Sequence, residues 1–216
     1  MSAVISIDNI CVNGWMNAIR GMRNSRQSWD KMDSKFVETD GKLELGPNDL
    51  ELASFLAKLG GSHAKFRRMI HVSMDVTAPM YWWKEFDTYK VGTTVNSTST
   101  MYSITEKEFT PYDFAIDYPV FLEFENAMTH VMSALNSLRD NYVNIEDSAA
   151  KNKVWREIIQ LLPESYKQLR TVDCNYEVLS RIVKERKHHR LREWPMFING
   201  LKDLPYSKEL IFCEEN

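Results

Sequence analysis

The stretch from Met69 to Thr77 alternates apolar and polar side chains, and this pattern sets the first limit on the fold. Its apolar positions are Ile70, Val72, Met74 and Val76. Successive side chains of a strand point to opposite faces of a sheet, so the segment is predicted to be a strand with one buried and one polar face. The fold must therefore accommodate a sheet beside the helices that the remaining sequence predicts.

A helix is predicted after Asn48 and Asp49, either of which can cap its first turn. Its apolar residues, spaced by three or four, are Leu52, Phe55, Leu56 and Leu59. This spacing is typical of a helix with one apolar face. Gly60-Gly61 is predicted to end the helix, because glycine readily adopts the left-handed conformation of helix ends.

The clearest helix is predicted to begin at Pro119. Its apolar stripe consists of Val120, Phe121, Phe124, Met128, Val131, Met132, Leu135 and Leu138. Further helices are predicted with Pro79 in a first turn and over about residues 149–162, 176–187 and 195–201. Residues 32–48, with Asp40-Gly41 and Gly46-Pro47 turn signals, and residues 91–100 are predicted to be loops. Because no Pro/Gly linker divides the chain, residues 1–216 are predicted to form one domain, without the regular strand–helix alternation of a doubly wound sheet.

The composition excludes several classes of protein. The chain has 216 residues, of which 44% are hydrophobic, enough to build a core and to exclude global disorder. A net charge of −3 argues against a globally basic nucleic-acid binder. No apolar run approaches the roughly 20 residues that span a bilayer, and the N-terminus does not resemble a secretion signal. We therefore expect a cytoplasmic globular protein with no membrane and no extended nucleic acid among its partners.

The cysteines and histidines do not predict a metal site. Cys11, Cys174 and Cys213 are far apart and form no CxxC pair, which favours a reducing compartment over a disulfide or zinc scaffold. His189 and Glu193 are spaced to share a helical face, but no third ligand is near in the sequence. We predict a solvated face there and no metal.

Two polar segments are candidates for anion binding. One is the basic run Arg181, Lys184, Arg186, Lys187, Arg190 and Arg192, which is either a charged helix surface or a site for a phosphate-bearing ligand. The other spans residues 93–100, where seven of eight side chains carry a hydroxyl or an amide. No phosphate-binding glycine loop accompanies either segment, since neither GxxxxGK[ST] nor GxGxxG occurs.

Several short blocks of the sequence stand out by their order. The central blocks are Ala78-Pro79-Met80-Tyr81, Lys84-Glu85-Phe86 and Asn96-Ser97-Thr98-Ser99-Thr100-Met101-Tyr102. The flanking blocks are Ile19-Arg20-Gly21-Met22-Arg23, Leu59-Gly60-Gly61-Ser62-His63, Leu162-Pro163, Asn175 with Leu179, and His189 with Glu193. Together, over about residues 19–197, they resemble the flavin-dependent thymidylate synthases (the ThyX family).

The resemblance implies an α+β fold, with a central, mostly antiparallel sheet flanked by helices. It also implies reductive methylation at C5 of a pyrimidine nucleotide, dUMP to dTMP, with FAD, methylenetetrahydrofolate and NADPH, in a homotetramer. The residues that it places at a cofactor site are His63, Thr88, Tyr89, Lys90, Asn96, Asn175 and His189. Those that it places at a substrate site are Glu85, Ser97, Ser99, Thr100 and Arg170, with Ser99 in the catalytic position beside the pyrimidine.

The departures from the family pattern concern its charged residues. Thr88, Tyr89 and Lys90 stand where the family has Arg-His-Arg, and Glu85 replaces a glutamine. The family's arginines fall on Ile159, Met101, Glu177 and, at the last position, near Pro195. Because arginine holds a phosphate through charge-assisted bidentate bonds, losing several of them weakens the binding of a nucleotide monophosphate. The predicted substitutes are Lys90, Arg170 or the basic run from Arg181 to Arg192.

Three hypotheses follow. The chain is a flavoenzyme of the thymidylate synthase type with a remodelled site, with FAD bound less tightly than in the family. Alternatively, it is a nucleotide- or nucleoside-binding protein that has kept the fold and lost the reaction. The third is another flavin- or ligand-dependent enzyme on the same scaffold.

Overall fold

A computed structural model describes residues 4–36, 43–117 and 120–213. The strands are β1 (Ser6–Asn13), β2 (Lys35–Phe36), β3 (Leu43–Glu44), β4 (His71–Pro79), β5 (Thr94–Ser97) and β6 (Lys167–Asn175). The helices up to residue 144 are α1 (Trp15–Met22), α2 (Pro47–Leu59), α3 (Met80–Phe86), α4 (Thr100–Ser103) and α5 (Leu122–Asn144). The later helices are α6 (Ser148–Leu161), α7 (Tyr176–Arg186), α8 (Glu193–Gly200) and α9 (Ser207–Leu210).

The main sheet has four antiparallel strands in the order β1-β4-β6-β5. At one end of the β4–β6 pair the Tyr176 N–H donates to the Ile70 carbonyl, at 3.1 Å. At the other end the Met80 N–H donates to the Tyr166 carbonyl, at 3.0 Å. The α+β class predicted from the resemblance, with an antiparallel sheet flanked by helices, is confirmed. Within the described ranges no helix combines the length and apolarity that a membrane crossing needs.

Strand β4 has the alternation that the sequence predicts. Its residues Val72, Met74 and Val76 are buried. Its polar face is bonded to β6: the Ser73 hydroxyl donates to Asp173 and the Thr171 hydroxyl donates to Asp75, each at 2.6 Å. These bonds satisfy polar groups on the face of the strand that is not buried.

The backbone groups into two compact units, which we call unit 1 and unit 2. Unit 1 comprises residues 1–6, 76–87 and 96–170. Its helices α5 and α6 pack around one hydrophobic cluster. The buried members are Ile104, Phe109, Phe114, Met128, Leu135 and Ile158. The sequence prediction of a single domain over residues 1–216 stays a prediction.

Unit 2 comprises residues 7–75, 88–95 and 171–216. Its core is rich in large side chains, including Ile19, Ile70, Met74, Tyr176, Leu179, Trp194 and Phe197. The Trp15 and Tyr176 rings meet edge to face, with centroids 5.3 Å apart. Edge-to-face packing of this kind adds to the stability gained from burial.

Two predicted loops contain strands. In residues 32–48 the short strands β2 and β3 pair antiparallel, and α2 begins at Pro47 instead of after Asn48 and Asp49. Asp49 does not cap the helix, because its buried carboxylate is bonded to Arg23 and to Ser34. The Asp40-Gly41 turn signal lies outside the described residues. The loop predicted over residues 91–100 contains β5, which the β-branched residues Thr94 and Val95 favour.

The apolar stripes of two helices do not follow the burial that their spacing suggests. In α2 the residues that enter the core are Ala53 and Ala57, whereas Phe55 and Leu59 are 58% and 51% exposed. Helix α5 begins at Leu122 in the described residues, and Phe121, its N-cap residue, is exposed. The predicted start at Pro119 lies outside the described residues. The spacing of apolar residues predicted these helices, but it did not predict which of their residues are buried.

Candidate functional site

A cavity in unit 2 has a volume of about 970 Å³ and a basic lining. We call it the Lys65 cavity. Its charged or titratable lining residues are Arg20, His63, Lys65 and Arg68. Apolar surface comes from residues such as Leu56 and Phe66, and no aspartate or glutamate lines it among the described residues. A chain with a net charge of −3 thus concentrates positive charge here, which favours an anionic ligand.

A second cavity in unit 2, of about 210 Å³, lies at the start of α7, and we call it the Asn175 cavity. Asn175 is buried and caps the helix, its side-chain oxygen accepting from the Val178 N–H at 3.1 Å. Gly92 lines the cavity with φ of +77°. A Cβ at Gly92 would lie 3.1 Å from the Asn175 amide nitrogen, so the backbone of residue 92 passes close to the helix cap.

The cations Arg68 and Arg181 both line the Asn175 cavity. Glu177 lines it too, but its carboxylate is already paired: Arg67 Nε lies 2.8 Å and Arg67 Nη2 lies 2.6 Å from Glu177 Oε2. Arg67 is itself buried, and its Nη1 also donates to the Leu210 carbonyl. The glutamate that replaces an arginine of the family pattern is thus neutralised from within unit 2, and the remaining charge of the cavity is positive.

Arg68 lines both the Lys65 cavity and the Asn175 cavity. Of the predicted cofactor residues, His63 lines the first cavity and Asn175 lines the second. The structure therefore brings these two residues, 112 positions apart in the chain, to cavities that share one arginine.

Tyr89, another predicted cofactor residue, is only 3% exposed. Its hydroxyl donates to Glu185 at 2.8 Å and accepts from Arg186 Nε at 2.9 Å. Burial raises the pKa of the Tyr89 hydroxyl, and the hydrogen bond from Arg186 opposes this only in part. Tyr89 therefore contributes to the packing of unit 2, while its neighbours Thr88 and Lys90 are exposed.

His189 lies between two helices rather than on one. Helix α7 ends at Arg186 and α8 begins at Glu193, so His189 and Glu193 do not share a helical face. The His189 ring lies edge to face with Trp194, with centroids 6.3 Å apart, and its Nδ1 accepts from the Leu191 N–H. Among the residues that the structure describes, no three potential metal ligands come together.

Three of the predicted substrate residues, Ser97, Ser99 and Thr100, lie in unit 1, on β5 and at the start of α4. Ser97 is exposed on β5 beside Asn96, an exposed residue predicted at the cofactor site, and Thr100 is the first residue of α4. Ser99 caps α4, its hydroxyl oxygen accepting from the Met101 N–H at 3.2 Å. The hydroxyl that the resemblance places beside a pyrimidine thus has a local structural role in the structure.

A chain of polar contacts fixes the segment from Ser97 to Thr100 to β6. Gln168 Nε2 donates to the Thr98 carbonyl at 2.7 Å, and the Thr98 N–H donates to the Leu169 carbonyl. Arg170 Nε donates in turn to Gln168 Oε1, at 2.9 Å. Its Nη1 donates to both carboxylate oxygens of Asp87, at 2.9 and 3.2 Å.

The polar chain connects Arg170 to the segment of Ser97, Ser99 and Thr100. Glu85, the remaining predicted substrate residue, is half-buried on α3. Sequence reasoning did not select Gln168, Asp87 or Arg68. No pattern along the chain marks these three residues, whereas Arg181 belongs to the basic run that was noted as a possible anion site.

The fold is that of the flavin-dependent thymidylate synthases. A crystal structure of flavin dependent thymidylate synthase ThyX from Helicobacter pylori complexed with FAD and dUMP matches with a TM-score of 0.69. The match covers 97% of this chain and 98% of that one at 19% sequence identity. A second ThyX structure from Helicobacter pylori with FAD and dUMP gives a TM-score of 0.70 at 17% identity, over 98% of this chain and all of that one. No protein-family model and no curated protein matches the sequence.

Proposed function

We propose that this chain binds FAD in unit 2 and acts as a thymidylate synthase-like flavoenzyme with a remodelled nucleotide site. The observation that carries the proposal is the position of Arg68, which lines the cavity of His63 and also the cavity of Asn175. The likeness in fold to enzymes solved with FAD and dUMP supports it.

The chemistry of the lining residues fits a flavin dinucleotide. Its diphosphate needs cations, which Arg68 and Arg181 supply, and its ring systems need apolar surface, which Leu56, Phe66 and Met69 supply. A volume of about 970 Å³ reaches the upper end of the range of ordinary ligand sites. The close passage of Gly92 beside Asn175 provides backbone groups that can approach a phosphate without steric hindrance.

Unit 1 provides the groups for the pyrimidine in this proposal. Ser97, Ser99 and Thr100 present hydroxyls that can bond the carbonyl oxygens and N–H of a base, and the Gln168–Thr98 contact keeps their segment in place. When bound, the flavin supplies hydride chemistry, so that a one-carbon unit from methylenetetrahydrofolate is reduced to a methyl group with NADPH as the source of electrons. The protein's part is to bind and orient the reactants.

A second candidate is a nucleotide- or nucleoside-binding protein that does not carry out the reaction. It is favoured by Arg170, whose guanidinium is already bonded to Asp87. It is also favoured by Met101, which is 64% exposed at a position where the family pattern has an arginine. With Arg170 paired and Met101 uncharged, these two positions suit an uncharged nucleoside better than dUMP.

The absorption spectrum of the purified protein and a titration of the apo-protein with FAD test the proposal. We expect flavin absorbance and micromolar binding, weakened about tenfold in Arg68→Ala, the loss of one charge-assisted contact. Lys202→Ala, an exposed cation away from both cavities, is the matched control and should bind as the wild type. Absence of binding at high micromolar FAD would contradict the proposal.

Turnover separates the two candidates. Formation of dTMP from dUMP with methylenetetrahydrofolate, NADPH and FAD supports the enzyme. Flavin or deoxyuridine binding without dTMP supports the second candidate. A homotetramer and a reducing, cytoplasmic compartment belong to the same proposal, and three cysteines without a disulfide support the reducing compartment. Light scattering that shows a stable monomer would contradict the tetramer.

A further inference from the structure

The apolar stripe of α5 continues beyond the core of unit 1. Met128 and Leu135 belong to the buried hydrophobic cluster of that unit. Residues 121 and 124 lie on the same face of the helix, because they precede Met128 by seven and four positions. The exposed apolar residues at this end of α5, which we call the α5 tip, are 47–88% exposed and comprise Val120, Phe121, Leu122 and Phe124. An apolar patch of this kind marks an interaction surface.

Negative charge accompanies the α5 tip. Glu123 and Glu125 lie in the first turn of α5, and both are exposed. Neither carboxylate has an ion-pair partner among the residues that the structure describes. A surface that matches the α5 tip is therefore apolar and carries positive charge.

A cavity of about 740 Å³ in unit 2 has that composition, and we call it the Phe55 cavity. Its apolar lining comes from the stripe of α2 and consists of Leu52, Phe55, Leu56 and Leu59. Phe55 and Leu59 are more than half exposed, so this stripe also lacks cover. The apolar faces of α2 and α5 thus have the same unmet requirement for a partner surface.

The Phe55 cavity also has positive charge. Arg26 and Lys31 line it, and both are exposed. Arg23 lines it too, but Asp49 neutralises that charge, with Arg23 Nη2 2.7 Å from Asp49 Oδ1. In the part of the chain that the structure describes, no aspartate or glutamate lines the cavity. The cavity therefore offers two cations to an acidic partner.

We propose that the α5 tip of one copy of this chain docks in the Phe55 cavity of a second copy. The apolar side chains of the tip pack on the apolar lining of the cavity, while Glu123 and Glu125 pair with the two cations. In a two-fold dimer each copy gives its tip and receives the tip of its partner, so both surfaces of both copies are covered.

Area and charge both favour a second copy as the occupant. Aromatic side chains bury about 150–250 Å² each, so the apolar tip, seated twice in a two-fold dimer, reaches the order of 1,200 Å² that a specific interface buries. Two carboxylates also match two cations in number. A small apolar molecule in the cavity would leave the cations unpaired and the α5 tip in water. The contact supplies a surface for the oligomer of the proposed function, and it does not depend on the flavin.

Charge reversal on the two surfaces, in separate full-length variants, tests the contact. The tip variant combines Glu123→Lys with Glu125→Lys, and the cavity variant combines Arg26→Glu with Lys31→Glu. Either variant alone brings like charges together at both contacts of the dimer, so we expect its self-association to weaken at least about tenfold. An equimolar mixture brings opposite charges together at both contacts. We therefore expect sedimentation velocity to show assemblies that contain both variants.

Two apolar substitutions and two controls complete the set. Phe121→Ser and Phe55→Ser should each weaken self-association about tenfold, because each removes an aromatic ring from the contact. Glu146→Lys reverses an exposed charge just beyond the C-terminal end of α5, and Lys202→Glu reverses an exposed charge that does not line the Phe55 cavity. Both controls should associate as the wild type does. Circular dichroism checks that every variant is folded.

Three results would overturn the proposal. The first is a wild type that stays monomeric at high micromolar concentration, whether or not a foreign protein co-purifies with it. The second is wild-type association in the tip variant or in the cavity variant. The third is a mixture of the two charge variants that does not assemble, because the tip would then contact a surface other than the Phe55 cavity.

Flavin titrations of the same proteins keep this proposal distinct from the proposed function. FAD binding by a monomeric wild type supports the flavoenzyme and overturns the docking of the α5 tip. Assembly that responds to charge reversal as expected, in a protein that binds no FAD, supports the docking while the proposed function fails.

Discussion

The guanidinium of Arg170 lies over the ring of Trp83, 4.4 Å from its centroid. Asp87 accepts from Nη1 of the same group at 2.9 Å, so the arginine is held by a ring on one side and a carboxylate at its end. The Arg170 side chain is only 11% exposed, whereas Asp87 is 49% exposed. The predicted phosphate-binding cation of unit 1 thus has a partner that a ligand must displace or share.

Replacing Asp87 tests whether Arg170 can bind a phosphate. We expect Asp87→Asn to raise the affinity for dUMP about threefold, because a partly exposed ion pair is worth up to about 1 kcal/mol and its loss frees the guanidinium. Affinity for deoxyuridine, which lacks the phosphate, should not change. Equal effects on nucleotide and nucleoside would show that Arg170 does not contact the phosphate.

Arg170→Ala and Lys90→Ala complete this comparison. If Arg170 or Lys90 holds the phosphate, the variant that lacks it should bind dUMP several-fold more weakly while binding deoxyuridine as the wild type does. Both ligands are titrated calorimetrically under the same salt concentration. Identical affinities for dUMP and deoxyuridine in all the proteins would favour a site for an uncharged ligand.

Substitutions of the adjacent residues Arg67 and Arg68 are expected to affect different properties, the stability of the fold for Arg67 and the binding of FAD for Arg68. Arg67→Ala leaves the Glu177 carboxylate and the Leu210 carbonyl without their partner, and should lower the free energy of unfolding by about 3 kcal/mol. Arg68 is exposed, so Arg68→Ala should change that free energy by less than about 0.5 kcal/mol while weakening FAD. Urea denaturation measures both, and equal destabilisation would contradict the assignment of Arg68 to ligand binding.

Acid should remove the contribution of Asp49 to stability. Burial alone would raise the pKa of its carboxyl, but hydrogen bonds from Ser34, Arg23 and the Asp33 backbone outweigh it and lower the pKa below 3.8. A carboxyl with a depressed pKa in the folded state stabilises the fold above its unfolded pKa and loses that contribution as the pH falls through the folded value. The difference in unfolding free energy between wild type and Asp49→Asn should therefore be constant near neutral pH and shrink below about pH 4. A difference that does not vary with pH would contradict this.

One thiol should react quickly in the native protein and three after unfolding. Cys11 is exposed, whereas Cys174 and Cys213 are buried. Burial raises the pKa of the Cys174 thiol to about 12, which leaves almost no thiolate at pH 8. Counting the thiols that react with an aromatic disulfide reagent, with and without denaturant, checks this. Cys11→Ser should have no fast-reacting thiol.

Helices and strands were predictable from the sequence where a pattern of neighbouring residues determines them. The alternation around β4 and the start of α7 at Tyr176, after the capping Asn175, depend on neighbouring residues and are confirmed. Of the predicted cofactor residues, His63 and Asn175 line the two cavities of the candidate site, and both belong to blocks resembling a family. Arg67 is bonded to Glu177, which is 110 residues away in the chain, and no local sequence pattern predicts such a pairing. Phe55 was correctly predicted to lie on an apolar stripe, yet the spacing of apolar residues does not show whether that stripe enters the core, and Phe55 stays mostly exposed.

The close passage of Gly92 has a consequence for how the adjoining residues respond to change. The side chain of Tyr89 is buried inside unit 2. A Cβ atom added at Gly92 would lie only 3.1 Å from the side-chain amide nitrogen of Asn175. Lys90 and Val91, both exposed, therefore connect a buried residue to a position that leaves little room for a side chain. Substitutions at Lys90 or Val91 remove no buried contact, so they should alter which ligands are accepted rather than how readily the protein unfolds. For protein engineering, Lys90 and Val91 are positions where ligand selectivity can be varied without destabilising the fold.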